Sequence, residues 1–479
     1  MIIALLPIFR SVADTSQTNV STETSEITTE SAVTMLTTGE NKLPPTEQEP
    51  AKESSVEKTT TKQTYTRTSQ TSVEQSTVEQ SSDDTSSKTD SQWSPFGTDL
   101  SECDLEGNTG LTSLPISIDS GYYILPMGKI AASGHITPTD HWYFRIDIVD
   151  DNLVDILSPA SGYIVKISSF PDEEGIGDYR MIVEHSCTLF TYYIHLREID
   201  PAILKETGEI SPNKIVHKRI SVDSGQTVGK VGPLLSYEHV VGNTNLDFAV
   251  VDTNLILPGF IIPDHYEEDW KIHTGDPFDY YEEPLRSQLL ERMLRKVEPY
   301  GGKIDFDIDG KLVGNWFLDR TETYFAKGVA GQSKAVWEKI YGRDVGSCET
   351  EYWDNKDSKS RGALPCDYWL GHLTFAYDSI HPDQIKISMA IFWDFEEGRP
   401  PWRVKNNAPD PASIDVESGI VKYEIYTDFE GGEESEPFDI VGTLIVQMLD
   451  DRTIKVEVFF GQNIEDVNEF TEKARIYRR

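Results

Sequence analysis

The sequence is short of basic residues, of cysteine and of long apolar runs, and each shortage excludes a class of protein. Its 43 lysines and arginines are outnumbered by 81 acidic residues, which gives a formal net charge of −38. Such a chain repels phosphate backbones and anionic lipid, so nucleic-acid binding is excluded. Four cysteines in 479 residues are too few for a disulfide-dense scaffold. The apolar residues 2–9 are too few to cross a bilayer, which takes about 20 residues.

The first 92 residues have the composition of a disordered stalk. They are rich in serine and threonine, interleaved with Glu, Lys and Gln, and almost without aromatic residues. Such a segment cannot bury enough apolar surface to offset the entropy of ordering it. Stalks of this kind recur on exported proteins, so the segment favours an extracellular or cell-surface location. An intracellular disordered tail is the alternative.

A series of short apolar runs between Gly134 and Asp252 predicts an all-β domain. The runs are rich in Val, Ile, Tyr and Phe and are bounded by Gly, Ser, Pro or Asp, which are strand and turn signals. In Trp142–Arg145, bulky apolar and polar residues alternate as in a strand with one buried face. We place this domain at residues 93–280.

The order of the motifs in residues 120–255 resembles that of the lysostaphin-type zinc endopeptidases, the LytM-like hydrolases with a duplicated-hybrid-motif fold. The matching segments are the strand Pro159–Val165, the strand pair Val183–Leu196, the hairpin Val222–Gly232 and the strand Asn245–Val250. The resemblance implies a duplicated-hybrid-motif β-sandwich. It also implies a zinc that is held by a His-x-x-x-Asp segment and by the second histidine of a His-x-His strand.

The residues that would hold this zinc are mostly absent. His141 matches the first ligand, but Arg145 replaces the aspartate, and Asn245-Leu246-Asp247 replaces His-x-His. His195 keeps the catalytic-site position of the family's YxHL strand. A catalytic zinc needs about three protein ligands of His, Asp or Cys type. We therefore predict no catalytic residues, no metal and no cofactor.

Three interpretations of these residues remain open. In the first, the site is degenerate, and a groove with five candidate residues binds a peptide, a glycan or another surface protein. The five candidates are His141, His185, His195, Asp147 and Asp247. In the second, His141, Asp147 and Asp247 form a new, oxygen-rich metal site, since hard cations accept carboxylates. In the third, the chain is an active hydrolase with altered ligands. The positive charge of Arg145, at an even offset from His141, opposes the last two.

The second half of the chain predicts a helix followed by a β-barrel. Apolar spacing in residues 283–297 indicates a helix, which we assign to a linker at 281–298. Residues 299–479 contain eight alternating runs that fit an antiparallel barrel. Gly314-Asn315-Trp316, with Arg475 or Arg478 on the last strand, is similar to the Gly-x-Trp and Arg arrangement of lipocalin-like barrels. That resemblance implies a Trp316 covered by a cation and leaves two alternatives, a carrier of a small apolar ligand and a filled core.

Compartment and cysteine pairing are linked. If the protein is exported, Cys348 and Cys366 form the predicted disulfide; otherwise four reduced thiols are expected. The apolar start is compatible with the end of a signal or membrane anchor, which would be the route to a membrane. The sequence therefore predicts an exported or surface protein, non-catalytic, with a degenerate peptidase-like β domain and a β-barrel.

Overall fold

The structure is a computed structural model that describes most of the chain beyond residue 93. The described residues are 94–101, 103–105, 110–117, 121–131, 135–147, 153–170, 177–212, 214–232, 243–266, 268–319, 321, 371–390, 400–405, 407–428 and 440–479. The predicted stalk at 1–92 and the predicted Cys348–Cys366 disulfide lie outside them. Among the described residues, no helix has both the length and the hydropathy to span a bilayer.

The first half of the described chain is built on one large sheet. Its strands, in spatial order, are β1 (Tyr122–Leu125), β2 (Trp142–Asp147), β10 (Asn243–Asp252), β6 (Leu189–Leu196), β5 (Tyr179–Glu184), β4 (Gly162–Ser169) and β8 (Ile215–Val222), with β11 (Thr274–Gly275) paired to β10. All the neighbouring pairs are antiparallel.

A smaller sheet packs against one face of the large one. It consists of β3 (Val154–Leu157), β9 (Thr227–Val231) and β7 (Glu198–Ile199). Strand β2 shows why one face is buried: Trp142, Phe144 and Ile146 alternate along it and enter the core, as the period of two in a strand requires. Their core also contains Ile156 of β3 and Val228 of β9. The two sheets thus form a sandwich.

The second half of the described chain forms a closed antiparallel barrel. Its eight strands are β12 (Gly314–Leu318), β13 (His372–Tyr377), β14 (Ile385–Met389), β15 (Trp402–Val404), β16 (Val421–Thr427), β17 (Ile440–Asp450), β18 (Thr453–Phe460) and β19 (Arg475–Arg478). Closure comes from the pairing of β12 with β19, where Leu318 faces Tyr477. The predictions of an all-β chain and of an antiparallel barrel are confirmed.

Two barrel segments differ from the sequence prediction. Residues 303–310 are the first of the eight alternating runs from which the barrel was predicted, but they form no strand. They run between sheet and barrel, where the Asp307 N–H donates to the Gly259 carbonyl at 2.9 Å. The missing eighth strand is β15, which has three residues and follows Pro401 directly. A strand that short gives no readable alternation, so the pattern did not indicate it.

The two helices are short. Helix α1 (Pro201–Thr207) begins at Asp200, whose side chain accepts a hydrogen bond from the Ala202 N–H at 2.8 Å. Helix α2 (Leu285–Arg292) lies within the predicted helix but ends five residues early. It ends because Met293 forms a β-bridge with Ile124, and the Leu294 N–H donates to the Ile124 carbonyl.

A cation covers Trp316 at the barrel end, but it is neither Arg475 nor Arg478. The guanidinium of Arg479 lies 4.0 Å from the ring centroid of Trp316, a cation–π contact. Arg479 also donates to the carbonyls of Asn315 and of three further residues, Ile308, Lys311 and Val313. The prediction of Arg475 or Arg478 as the covering cation is therefore wrong: Arg475 lies on β19 opposite Val456.

The barrel interior is filled by large side chains. Trp316, Trp402, Tyr423 and Tyr477 are fully buried, and they share one core with aliphatic residues from all the longer strands. An eight-stranded barrel is just wide enough either for such a core or for one small ligand. In the described part of the barrel, side chains form such a core.

A disulfide joins Cys103 to Cys187 in the first half of the chain. It closes a loop with a sequence separation of 84 residues. The sequence prediction named another pair, so this disulfide was missed. Cysteine positions alone do not show which thiols meet, because the pairing depends on the fold.

Candidate functional site

Three polar residues meet on adjacent strands of the large sheet. Strand β10 lies between β2 and β6, and Asp247 of β10 faces Tyr143 on one side and Ile194 on the other. His141 immediately precedes β2, and His195 follows Ile194 on β6. Strand pairing therefore gathers residues that are distant in sequence.

The two imidazoles share one carboxylate oxygen. Asp247 Oδ2 lies 3.2 Å from His141 Nε2 and 3.5 Å from His195 Nε2. On their other sides, His141 Nδ1 lies 3.1 Å from Asp140 Oδ1, and His195 Nδ1 lies 3.2 Å from Asp178 Oδ2. Each imidazole is thus held between two carboxylates. We call these five residues the His–Asp cluster.

Burial and charge act in opposite directions in this cluster. Burial disfavours a charged His141, but Asp247 and Asp140 outweigh it and raise the pKa of His141 to about 9. The pKa of His195 is raised as well, because Asp247 and Asp178 outweigh its desolvation. Burial would raise the pKa of Asp247, but the two imidazoles lower it. With a pKa of about 9, His141 is protonated at neutral pH and forms buried ion pairs with Asp140 and Asp247.

The backbone of β6 turns His195 out of the core. Two residues of β6, Ile194 and His195, lie opposite the single residue Arg180 of β5, so the register shifts there. His195 has a φ of 70°, a left-handed value that costs a non-glycine residue about 1–3 kcal/mol. Without this bulge, strict alternation would turn His195 to the core face; with it, Leu196 enters the core instead. Bulges often re-aim a side chain in this way.

Five contributors to the site were missed by the sequence analysis. Trp270 Nε1 donates to Asp140 Oδ2 at 2.8 Å, and the Tyr192 hydroxyl lies 3.4 Å from His141 Nδ1. The ring of His135 lies 5.9 Å from that of His141, and burial lowers the pKa of His135 to about 3. Asp140 could have been found, because it adjoins His141. Asp178 and Trp270 enter from distant segments and carry no local signal.

Two predicted groove residues do not join the cluster. His185 follows β5 at the far end of the β5–β6 hairpin, where its Nε2 contacts Thr191 Oγ1 at 2.8 Å and its Nδ1 contacts the Ser161 carbonyl at 3.2 Å. Asp147 pairs with Asn243, four residues along β2 from the partner of Asp247. At about 3.3 Å per residue this is about 13 Å, so the backbone does not bring Asp147 to Asp247.

The residues present do not fit the zinc that the family resemblance implies. Among the described residues, no group of three His, Cys, Asp or Glu side chains could hold a metal ion. Arg145 stands at the position of the missing aspartate, opposite Asn245 on β10, and its guanidinium lies 6.0 Å from the Tyr143 ring. The sequence prediction that Arg145 shares a strand face with the site is consistent with this placement. A cation there opposes a bound metal.

Comparison with solved structures found 19 similar chains, of which two are described here. No protein-family model and no curated protein matches the chain. A solved structure of the SpoIIQ–SpoIIIAH pore forming complex is similar over 38% of this chain and 96% of the other, with 16% identity and a TM-score of 0.23. A zinc-containing peptidase from Vibrio cholerae is similar over 30% of this chain and 38% of the other, with 17% identity and a TM-score of 0.19. Neither likeness decides the activity of this chain.

Proposed function

We propose that this chain is a non-catalytic binding or structural protein of the cell exterior, in which the His–Asp cluster takes the place of a catalytic metal centre. The observation that carries this proposal is the shared contact of His141 Nε2 and His195 Nε2 with Asp247 Oδ2. An imidazole nitrogen that keeps its proton beside a carboxylate has no lone pair free for a metal. The cluster therefore replaces metal coordination by ion pairing.

Two further features support the proposed compartment and the proposed class of partner. The Cys103–Cys187 disulfide favours an oxidising compartment, because cytosolic thiols are kept reduced. The net charge of −38 disfavours nucleic acid and anionic surfaces as partners. The outer face of the large sheet beside the cluster is the surface that we assign to a peptide, a glycan or another surface protein.

The test is a metal and hydrolysis assay on the full chain. Zinc content is measured by elemental analysis after dialysis against zinc, and cleavage of peptide cross-links is followed with and without a chelator. We expect no stoichiometric zinc and no cleavage from the wild type. Stoichiometric zinc together with chelator-sensitive cleavage would establish the alternative, a metal-dependent hydrolase with altered ligands.

A double variant serves as the positive control. Arg145→Asp combined with Asp247→His returns the donor types of the family to the two substituted positions while His141 remains. We expect this variant to bind more zinc than the wild type, since three donors of the right type are then available. Equal zinc binding by both proteins would contradict the assignment of these two substitutions as the cause of the lost site.

A further inference from the structure

A compact turn of the chain inserts one aromatic side chain into the outer face of the large sheet. In Ser94–Thr98 the Gly97 N–H donates to the Ser94 carbonyl at 2.9 Å, with Pro95 and Gly97 at the positions that a type I turn favours. The Ser94 hydroxyl accepts from the Phe96 and Thr98 N–H groups. The turn is therefore held by its own hydrogen bonds, and it presents Phe96, which is 5% exposed.

Phe96 fills a pocket of three aromatic rings and one guanidinium. Its ring is stacked on Trp270 with a centroid distance of 5.6 Å, and it meets Phe190 and Tyr192 edge-on at 5.8 and 6.0 Å. The guanidinium of Arg180 lies 4.5 Å from the Trp270 ring and 5.7 Å from the Phe96 ring. We call Phe190, Tyr192, Trp270 and Arg180 the aromatic pocket.

Arg180 has hydrogen-bonding capacity that the turn does not use. Its side chain is more than nine-tenths buried, yet its Nε has no hydrogen-bond partner in the structure. A buried donor of this kind costs free energy unless a partner is found. A ligand that carried a carbonyl oxygen beside an aromatic ring would satisfy it, and Phe96 brings only the ring.

The turn is attached to the sheet like a tethered ligand. The described residues of 94–105 belong to none of the strands β1–β19, although Asp99 forms an isolated β-bridge. Beyond the Phe96 ring, the contacts include the packing of Leu100 on the same cluster, the Lys166 ammonium on the Phe96 carbonyl at 3.1 Å, an ion pair of Asp104 with Arg219 at 3.2 Å and the disulfide of Cys103. Such a segment can leave without opening a pair between any of the strands β1–β19.

The pocket also adjoins the His–Asp cluster. Trp270 donates to Asp140, and the Tyr192 hydroxyl lies beside His141. Two of the three rings that hold Phe96 are therefore in direct contact with the cluster, on the same face of the sheet. A ligand that spans both would lie across β6.

We propose that the aromatic pocket is a subsite for an aromatic residue of a peptide partner, and that the Ser94–Thr98 turn occupies it as an internal competitor. This inference takes from the proposed function only the assignment of the sheet face as a binding surface. A tethered ligand has an effective concentration in the millimolar range, so the disulfide-closed chain excludes weaker partners. A partner binds when the turn is displaced.

The test uses the full chain and a labelled peptide with the sequence of residues 94–101. The open variant combines Phe96→Ala, Cys103→Ser and Cys187→Ser, and binding is measured by fluorescence anisotropy. We expect the open variant to bind this peptide at least about tenfold more tightly than the oxidised wild type does. A peptide with Phe96→Ala should bind the open variant at least about tenfold more weakly, since the ring supplies the contact. The variant Ser101→Ala, at an exposed position of the same segment, should behave as the wild type.

Hydrogen exchange on the reduced wild type separates a subsite from an ordinary core. Excess peptide should raise amide exchange in residues 94–105 while strands β5 and β6 stay protected. Exchange that rises in the strands together with the turn would show that Phe96 belongs to the core, and this would overturn the proposal. So would equal binding of both peptides, or no binding by an open variant whose circular dichroism matches the wild type. None of these results alters the zinc assay, so the two proposals fail separately.

Discussion

Replacing Asp247 by asparagine removes the charge that His141 and His195 share. Asp247 is 3% exposed, so its interaction with the imidazoles is little screened by water. Among the groups that raise the pKa of His141 from 6.5 to about 9, Asp247 has the largest effect. At about 1.4 kcal/mol for each pKa unit, the charged cluster stabilises the folded state by about 3 kcal/mol. The Asp247→Asn variant should lose most of this at pH 6.5.

The pH dependence of stability gives the prediction its sign. The folded-state pKa of His141 lies above its unfolded value, so the stabilisation is fully present below pH 6.5 and is lost as the pH rises through about 9. The raised pKa of His195 acts in the same direction. The wild type should therefore become less stable across this interval. The variant should start lower and change less, because only Asp140 still raises the pKa of His141 strongly.

Urea unfolding followed by tryptophan fluorescence measures both effects. The free energy of unfolding is compared at pH 6.5 and above pH 9 for the wild type, for Asp247→Asn and for the control Asp155→Asn. Asp155 and its partner Lys230 are both solvent-exposed, and exposed pairs contribute little, so the control should follow the wild type. A wild type whose stability does not change over this interval, or an Asp247→Asn variant with the full wild-type slope, would refute the reasoning.

Two further predictions concern the barrel. Arg479→Ala removes the cation over Trp316 and leaves several carbonyls without donors, so denaturation should show a loss of at least about 2 kcal/mol; an unchanged transition would contradict this role. Lys386→Met leaves Asp378 and Asp428 without the ammonium that lies 2.8 and 2.6 Å from them. The cost should be about 3–5 kcal/mol near neutral pH. It should shrink in acid as Asp378 takes up a proton, because Lys386 lowers the pKa of Asp378. Urea titrations at two pH values measure it.

The spacing of apolar residues along the chain predicted most of the strands, and it failed at particular elements. The alternation of Trp142, Phe144 and Ile146 predicts β2 because every second residue of a strand faces the core. The same rule fails for β15, whose three residues are too few to alternate. The helical spacing of apolar residues predicted a longer helix than α2, because Met293 continues the apolar stripe. In the structure Met293 forms a β-bridge with Ile124 instead.

The sequence motifs identified only some of the residues of the candidate site. His141, His195 and Asp247 were named because they stand at motif positions, and strand pairing does bring them together. His185 and Asp147 stand in the same motifs, but hairpin geometry and strand register place them elsewhere.

The amino-acid sequence by itself determined most of the strands and the antiparallel barrel, because side-chain type and period are properties of the chain. The tertiary structure alone decided that Asp178 and Trp270 join the cluster, that Cys103 pairs with Cys187 and that Arg479 covers Trp316. Contacts between residues so far apart depend on register, on a bulge and on loop paths. These are set by the packing of the whole molecule, and no local pattern encodes them.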